Sequence, residues 1–395
     1  MTRILGAFAA AVLTIAITGP AVAQEQAGEA GPAPQGPVPV FGQEAPPFII
    51  DDKIRIDSYE EDEGSWSKAF EAMIRDLDGT KQRRHRDNVG FVPARRYMMK
   101  NERDLPALVL GKSGVVIQGE ERRTTIIDGS EAENYEAIFA WRNPGDDWAN
   151  PRRRIQFIHG GGFRDISGVK SKGHGVYLNR PGGEGLVLRD IGIMGCAGDG
   201  LRVDGKAAAS TPLALRGPFT IFSCNRALSI NGKILTAALI GYISGDGHDE
   251  AFLHFNGGGA ITQLGGKTEV LWGNQTARII HVERWQEGML VIFPLHVMFR
   301  KQSGRESEQT GRPDAIVRID GFNPKKAGIA ILGMTVRNRG IGCPNYQGLV
   351  VNGQEIEPCT AVWNKPILLG TAKEAPAAFW QGFAETFTAT PAASE

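Results

Sequence analysis

From residue 125 onward the chain keeps returning to one short phrase. An apolar residue, a variable one and a second apolar one are followed by Asn, Asp or Glu, usually with Gly next. Thr125-Ile126-Ile127-Asp128-Gly129 is an early copy. The regular series runs Val176-Tyr177-Leu178-Asn179, Leu201-Arg202-Val203-Asp204-Gly205, Leu228-Ser229-Ile230-Asn231-Gly232 and Leu253-His254-Phe255-Asn256-Gly257. It continues through Ile280-His281-Val282-Glu283, Val317-Arg318-Ile319-Asp320-Gly321 and Leu349-Val350-Val351-Asn352-Gly353, in steps of 25, 27, 25, 27, 37 and 32 residues. The alternation is that of a strand with its two apolar residues inward and the residue between them outward. The Asn/Asp–Gly pairs tolerate left-handed turns, and small residues such as Gly175, Gly200 and Ala227 precede several strands. Each repeat holds a second apolar run, such as Leu186-Val187-Leu188 or Phe219-Thr220-Ile221, and no helix-length amphipathic segment lies between phrases. One strand phrase per twenty-odd residues is the mark of a solenoid. The expected fold is all-β, a parallel β-helix solenoid.

The flanks read differently. Residues 1–23 have Arg3, an apolar run from Ile4 to Ile17 and Ala21-Val22-Ala23, the make-up of a secretory signal peptide. The run is too short to span a bilayer, so the expectation is export to the periplasm or the medium without a membrane span. Residues 24–48 form a linker rich in Pro, Gly, Ala and Gln, residues 49–370 the β-helix domain, and residues 371–395 a C-terminal cap and tail carrying Phe379, Trp380, Phe383 and Phe387. Ser65 to Gly79 reads as a capping helix, with Ser65 as N-cap, Gly79 as stop and Trp66, Phe70, Ile74 and Leu77 as the buried stripe.

Composition narrows the function. Lys plus Arg number 44 and Asp plus Glu 44, so formal net charge is zero and a nucleic-acid partner is not expected. The basic runs 81–86 and 152–154 are short and read as solvated loops. Four cysteines in an exported chain suggest disulfides. Cys343 and Cys359 are 16 apart, while Cys196 and Cys224 fall in register on neighbouring coils, as a bond or as stacked thiols.

The N-terminal order adds a resemblance. The helix is followed by Phe91-Val92-Pro93-Ala94-Arg95-Arg96-Tyr97 and then by Gly114-Val115-Val116-Ile117-Gln118-Gly119-Glu120. This resembles the opening of the pectate lyase superfamily of right-handed β-helix (pectin lyase-like) proteins, over roughly residues 50–370. Two departures mark a divergent member. Tyr59-Glu60-Glu61-Asp62-Glu63-Gly64-Ser65 stands where the family has an Asp-Gly-x-x-Asp-Asp-Thr stretch, and Arg95-Arg96 replaces Gly-Thr.

In such a solenoid the outward residues stack into columns, one per coil. The middle residues of the phrases give Tyr177, Arg202, Ser229, His254, His281, Arg318 and Val350. Arginines and histidines on one column suit an anionic polymer such as an acidic polysaccharide, because guanidinium pairs bidentately with carboxylates. A column just before the strands reads His174, Asp199, Arg226, Glu250, Thr276, Asp314. The run Gly245-Asp246-Gly247-His248-Asp249-Glu250 offers Asp246, Asp249 and Glu250 as candidate Ca²⁺ ligands. The column from Asn179 and Asp204 through Glu283 to Asn352 reads as a turn ladder without chemistry.

Three functions remain open. In a polysaccharide lyase, Arg202 and Arg318 would neutralise a uronate and His254 or His281 would remove its α-proton. Tyr177, Ser229, Asp199 and His174 would contact the sugar. An inverting hydrolase would pair Asp199 with Glu250. The third is a non-catalytic scaffold binding an envelope polymer or exopolysaccharide.

Overall fold

The computed structural model describes residues 54–59, 64–79, 88–100, 108–110, 115–132, 136–142, 162–179, 187–205, 213–215, 217–271, 278–300, 315–338, 347–358, 362–363 and 366–374. The signal segment, the linker, the tail aromatics, Cys343, Cys359, Thr276, Asp314 and both basic runs lie outside them. The described residues belong to one compact unit, Ile54–Glu395.

That unit is a parallel β-helix. Among the described residues, strands collect into a 13-stranded and a 14-stranded sheet, with successive turns of the chain adding strands to both. The phrases supply seven stacked strands of the second sheet: β1 (His174–Asn179), β2 (Leu201–Asp204), β3 (Arg226–Ile240), β4 (Ala251–Gln263), β5 (Arg278–Glu283), β6 (Ala315–Asp320) and β7 (Gln347–Val351). They pair in parallel with the phrases in strict register: Val176, Leu201, Leu228, Leu253, Ile280, Val317 and Leu349 lie side by side. These residues and the second apolar residue of most phrases are buried, and they face Ile191, Ile193, Phe219 and Ile221 in one core. Each such side chain contributes about 1.5–3 kcal/mol by leaving water.

The small residue before each strand has a steric cause. A Cβ on Gly200 would lie 2.2 Å from Ile221 Cγ2, and one on Gly175 would lie 2.3 Å from Ile193 Cγ2, so here the chain crosses the core too closely for a side chain.

Helix α1 (Ser67–Gly79) covers the first coil with Phe70, Met73 and Leu77, and Trp66 meets Tyr97 edge-on at 5.1 Å. Ser65 Oγ accepts the Ser67 N–H at 3.3 Å, so the capping hydroxyl sits one residue earlier than a simple N-cap. At the far end the pairing reverses: Gln354–Pro358 runs antiparallel to β7, Val362–Trp363 to Met334–Asn338, and Ile367–Gly370 to Ala327–Ile331. Among the described residues, no helix is long and apolar enough to cross a membrane.

One expectation is corrected. Cys196 and Cys224 are register partners, as their spacing implied, but they are buried free thiols. Stacked in-register side chains keep their Cβ atoms near the roughly 4.8 Å strand spacing, while a disulfide needs about 3.5–4.5 Å. Cys224 instead donates its S–H to the Phe222 carbonyl at 3.2 Å.

Candidate functional site

Because side chains alternate along a strand, the second and fourth residues of each phrase emerge on the same face. The supposed turn ladder therefore stands beside the polar column, and the two interlock. Arg202 Nε donates to Asp204 Oδ1 at 3.1 Å, Tyr177 Oη to Asp204 Oδ2 at 2.9 Å, and Asn231 Nδ2 to both Asp204 and Ser229. Farther along, Arg318 Nε donates to Asp320 Oδ2 at 2.7 Å. Polar contacts thus link β1 to β6, a span of roughly 24 Å at the usual strand spacing.

Exposure along the ladder is uneven: Arg202 and Arg318 reach the surface, while Tyr177 is 8% exposed. Arg202 is 33% exposed, whereas Ser229 is fully buried and His254 is 1% exposed. Beneath Arg202 lies Asp199, 2% exposed. Its positive neighbours stand off at 3.8 Å (Arg202) and 3.9 Å (Arg226). Burial raises the Asp199 carboxyl above the usual range, against the pull of these two arginines. The Asp199 N–H donates to His174 Nδ1 at 2.8 Å, so a neutral His174 carries its proton on Nε2. That nitrogen lies 3.5 Å from Arg202 Nη1. Burial, then the Arg202 charge, lowers the His174 pKa to about 4, so the ring is neutral near pH 7.

The centre is closed. Ser229 Oγ and His254 Nδ1 are 3.0 Å apart. His254 Nε2 and His281 Nε2 each lie 3.4 Å from an oxygen of Glu283, and His281 Nε2 is 3.5 Å from Asp320 Oδ2. The two imidazole rings are 5.4 Å apart. Burial, then Arg226 and His281, lowers His254 to about 3; burial and then Arg278 lower His281. Arg278 Nη1 approaches His281 Nδ1 at 3.3 Å.

The column before the strands needs a correction. Parallel register requires a constant offset, and it continues past Arg226 as Ala251, Arg278 and Ala315. Glu250 lies one residue out of line and binds Arg226 Nη2 at 2.5 Å. Burial would raise its carboxyl, but the Arg226 hydrogen bond and charge outweigh this and hold it low. Asp246 ends a strand of the other sheet (Ile243–Asp246) and Asp249 lies at the corner between sheets; Asp246, Asp249 and Glu250 do not form a metal-holding group among the described residues. Among the described residues, the group able to hold a metal ion is His254, His281 and Glu283, whose ligand atoms lie within 4.8 Å of one another. Glu283, Asp204, Asp320 and Arg278 are the residues that the column reading left without a role; strand alternation and constant offset would have found them.

No protein-family model matches the chain, and no curated protein matches it. Three solved structures are similar. ORF18 of Geobacillus virus E2 is 11% identical, with a TM-score of 0.39 over 73% of this chain and 62% of that one. The A-module of Azotobacter vinelandii mannuronan C-5 epimerase AlgE4 is 11% identical, with a TM-score of 0.29 over 76% and 96%. The catalytic unit of a GH87 α-1,3-glucanase from Streptomyces thermodiastaticus strain HF3-3 is 12% identical, with a TM-score of 0.28 over 76% and 68%. The chain thus spans under two thirds of the length of the first of these.

Proposed function

We propose that the protein acts, after export, on an acidic polysaccharide and cleaves it by β-elimination at the β1–β2 end of the ladder. The supporting observation is the convergence of two N–H donors, Arg202 Nη1 and His174 Nε2, beside a tyrosine whose hydroxyl is held by a carboxylate. Removing the proton α to a uronate carboxylate places charge on that carboxylate, and fixed donors aimed there stabilise the developing dianion. Arg202 and the His174 Nε2–H fill that role. As the Tyr177 hydroxyl proton passes to Asp204, the phenolate oxygen takes the α-proton. The C–O bond to the leaving sugar breaks as the double bond forms, and Tyr177 returns a proton to the departing oxygen. Asp204 then gives its proton back, and charge balances over the cycle.

His254 and His281 are more deeply covered than Tyr177 (1% and 3% exposed against 8%) and serve the floor of the ladder in this scheme. Arg318, 30% exposed and roughly 19 Å from Arg202 at four strand spacings, would meet a further acidic unit of the same polymer.

The test is incubation of the purified protein with a panel of uronate-containing polymers, following unsaturated-uronate absorbance and reducing ends. Tyr177→Phe should lower turnover by about 10²–10⁴-fold, and His174→Gln by about 10²–10³-fold. Reducing ends without absorbance would replace elimination with hydrolysis. Retention of a polymer without either signal would make the protein a binding scaffold.

A further inference from the structure

We infer that the protein binds a divalent transition-metal ion between β4 and β5, held by His254 Nε2, His281 Nε2 and Glu283. The inference is independent of the elimination reading, since none of these residues carries a step in it.

The separations fit. Two ligands bonded to one tetrahedral zinc at 2.0–2.1 Å lie about 3.4 Å apart. His254 Nε2 lies 3.4 Å from Glu283 Oε2 and His281 Nε2 lies 3.4 Å from Glu283 Oε1, so the carboxylate turns one oxygen to each ring, and the three ligand groups lie within 4.8 Å of one another. Two imidazoles with a carboxylate suit zinc, cobalt or iron rather than calcium, which takes oxygen ligands.

The hydrogen bonds around His254 prepare it for a metal. Asp204 can only accept from Asn231, which orients that amide so that its nitrogen also donates to Ser229 Oγ at 3.0 Å. The Ser229 oxygen can then accept the His254 Nδ1–H, which leaves the lone pair of Nε2 free. That nitrogen is buried, faces Glu283 and has no hydrogen-bond partner. A histidine fixed through its other nitrogen, with a vacant lone pair aimed at a carboxylate, has the usual support of a metal ligand.

His281 is less prepared. Arg278 donates to its Nδ1, so a neutral His281 carries its proton on Nε2. Metal binding must expel that proton from Nε2 and push Arg278 away from Nδ1. Arg278 therefore opposes binding, both through this contact and through its charge.

The experiment titrates chelator-treated full-length protein with Zn²⁺ by calorimetry and with Co²⁺ by visible absorption. The expected result is one saturable site per chain and cobalt d–d bands without a thiolate charge-transfer band. Glu283→Gln, at a partly exposed position, should weaken binding about 100-fold, and Ser229→Ala about tenfold. Arg278→Gln should tighten binding several-fold, a direction that misfolding cannot produce. Tyr177→Phe should bind metal as the unaltered protein does while failing the elimination assay, which separates the two readings. Absence of a saturable site, undiminished binding by Glu283→Gln, unchanged or weaker binding by Arg278→Gln, or a thiolate band would each overturn the inference.

Discussion

His248 gives a stability prediction that can be worked out in numbers. It lies at the corner between the two sheets, 3% exposed, its ring 5.9 Å from that of Phe252. The backbone at Cys224 and Ile221 eases the charged form slightly, but burial dominates and lowers the pKa from 6.5 to about 4. In the unfolded chain the ring protonates near 6.5, so lowering the pH favours unfolding. Stability is intact above about pH 6.5, falls with pH through that window, and stops falling below about pH 4. The full loss is about 3 kcal/mol, of which about 2 kcal/mol falls between pH 7 and pH 5. His248→Leu keeps an apolar contact with Phe252 and removes the titration. Urea unfolding at pH 7 and pH 5 should show the variant losing about 2 kcal/mol less than the unaltered protein over that interval. An equal pH dependence in the two proteins, or a His248 NMR titration midpoint near 6.5, would refute the reasoning.

Other predictions concern packing, thiols and charge. Gly245→Ala would put a Cβ 1.5 Å from the Ile221 carbonyl oxygen; a destabilisation above about 3 kcal/mol is expected by chemical denaturation. Cys196 and Cys224 should resist a thiol reagent in the native protein and react in denaturant without prior reduction; two thiols too few in that count would restore the disulfide. Glu250→Gln leaves the largely buried Arg226 without its closest counter-charge, and should cost about 1–3 kcal/mol at pH 7, read as a lowered urea midpoint. Arg202→Lys keeps the charge but loses the planar fork, so turnover on the cleaved polymer should fall although net charge is unchanged.

The solenoid was legible because each phrase repeats both a period and a turn signal. Register, core face and the stacking of Tyr177, Arg202, Ser229, His254, His281 and Arg318 all follow from aligning the phrases. The chemistry was harder to read because partners on one face are two residues apart within a strand and one coil apart across strands. Asp204, Glu283 and Asp320 resemble turn residues until alternation places them beside the column. Arg278 was missed because the chain between coils varies in length, which invites counting from the nearest polar residue instead of from the strand. Burial was not visible at all: a column of outward residues reads as evenly exposed, yet Tyr177, Ser229, His254 and His281 are buried and only Arg202 and Arg318 reach the surface.

The reversed strands at the far end have a bearing on self-association. A stack of parallel strands is a template that another copy could in principle extend coil by coil. Gln354–Pro358 is exposed throughout, runs against β7 and carries Glu355, Glu357 and Pro358. An incoming parallel strand would meet a backbone pattern of the opposite sense, negative charge, and a proline with no N–H to give. With helix α1 over the first coil, both ends are blunted, which disfavours end-to-end filaments. The length of the polar ladder is thereby set within a single chain.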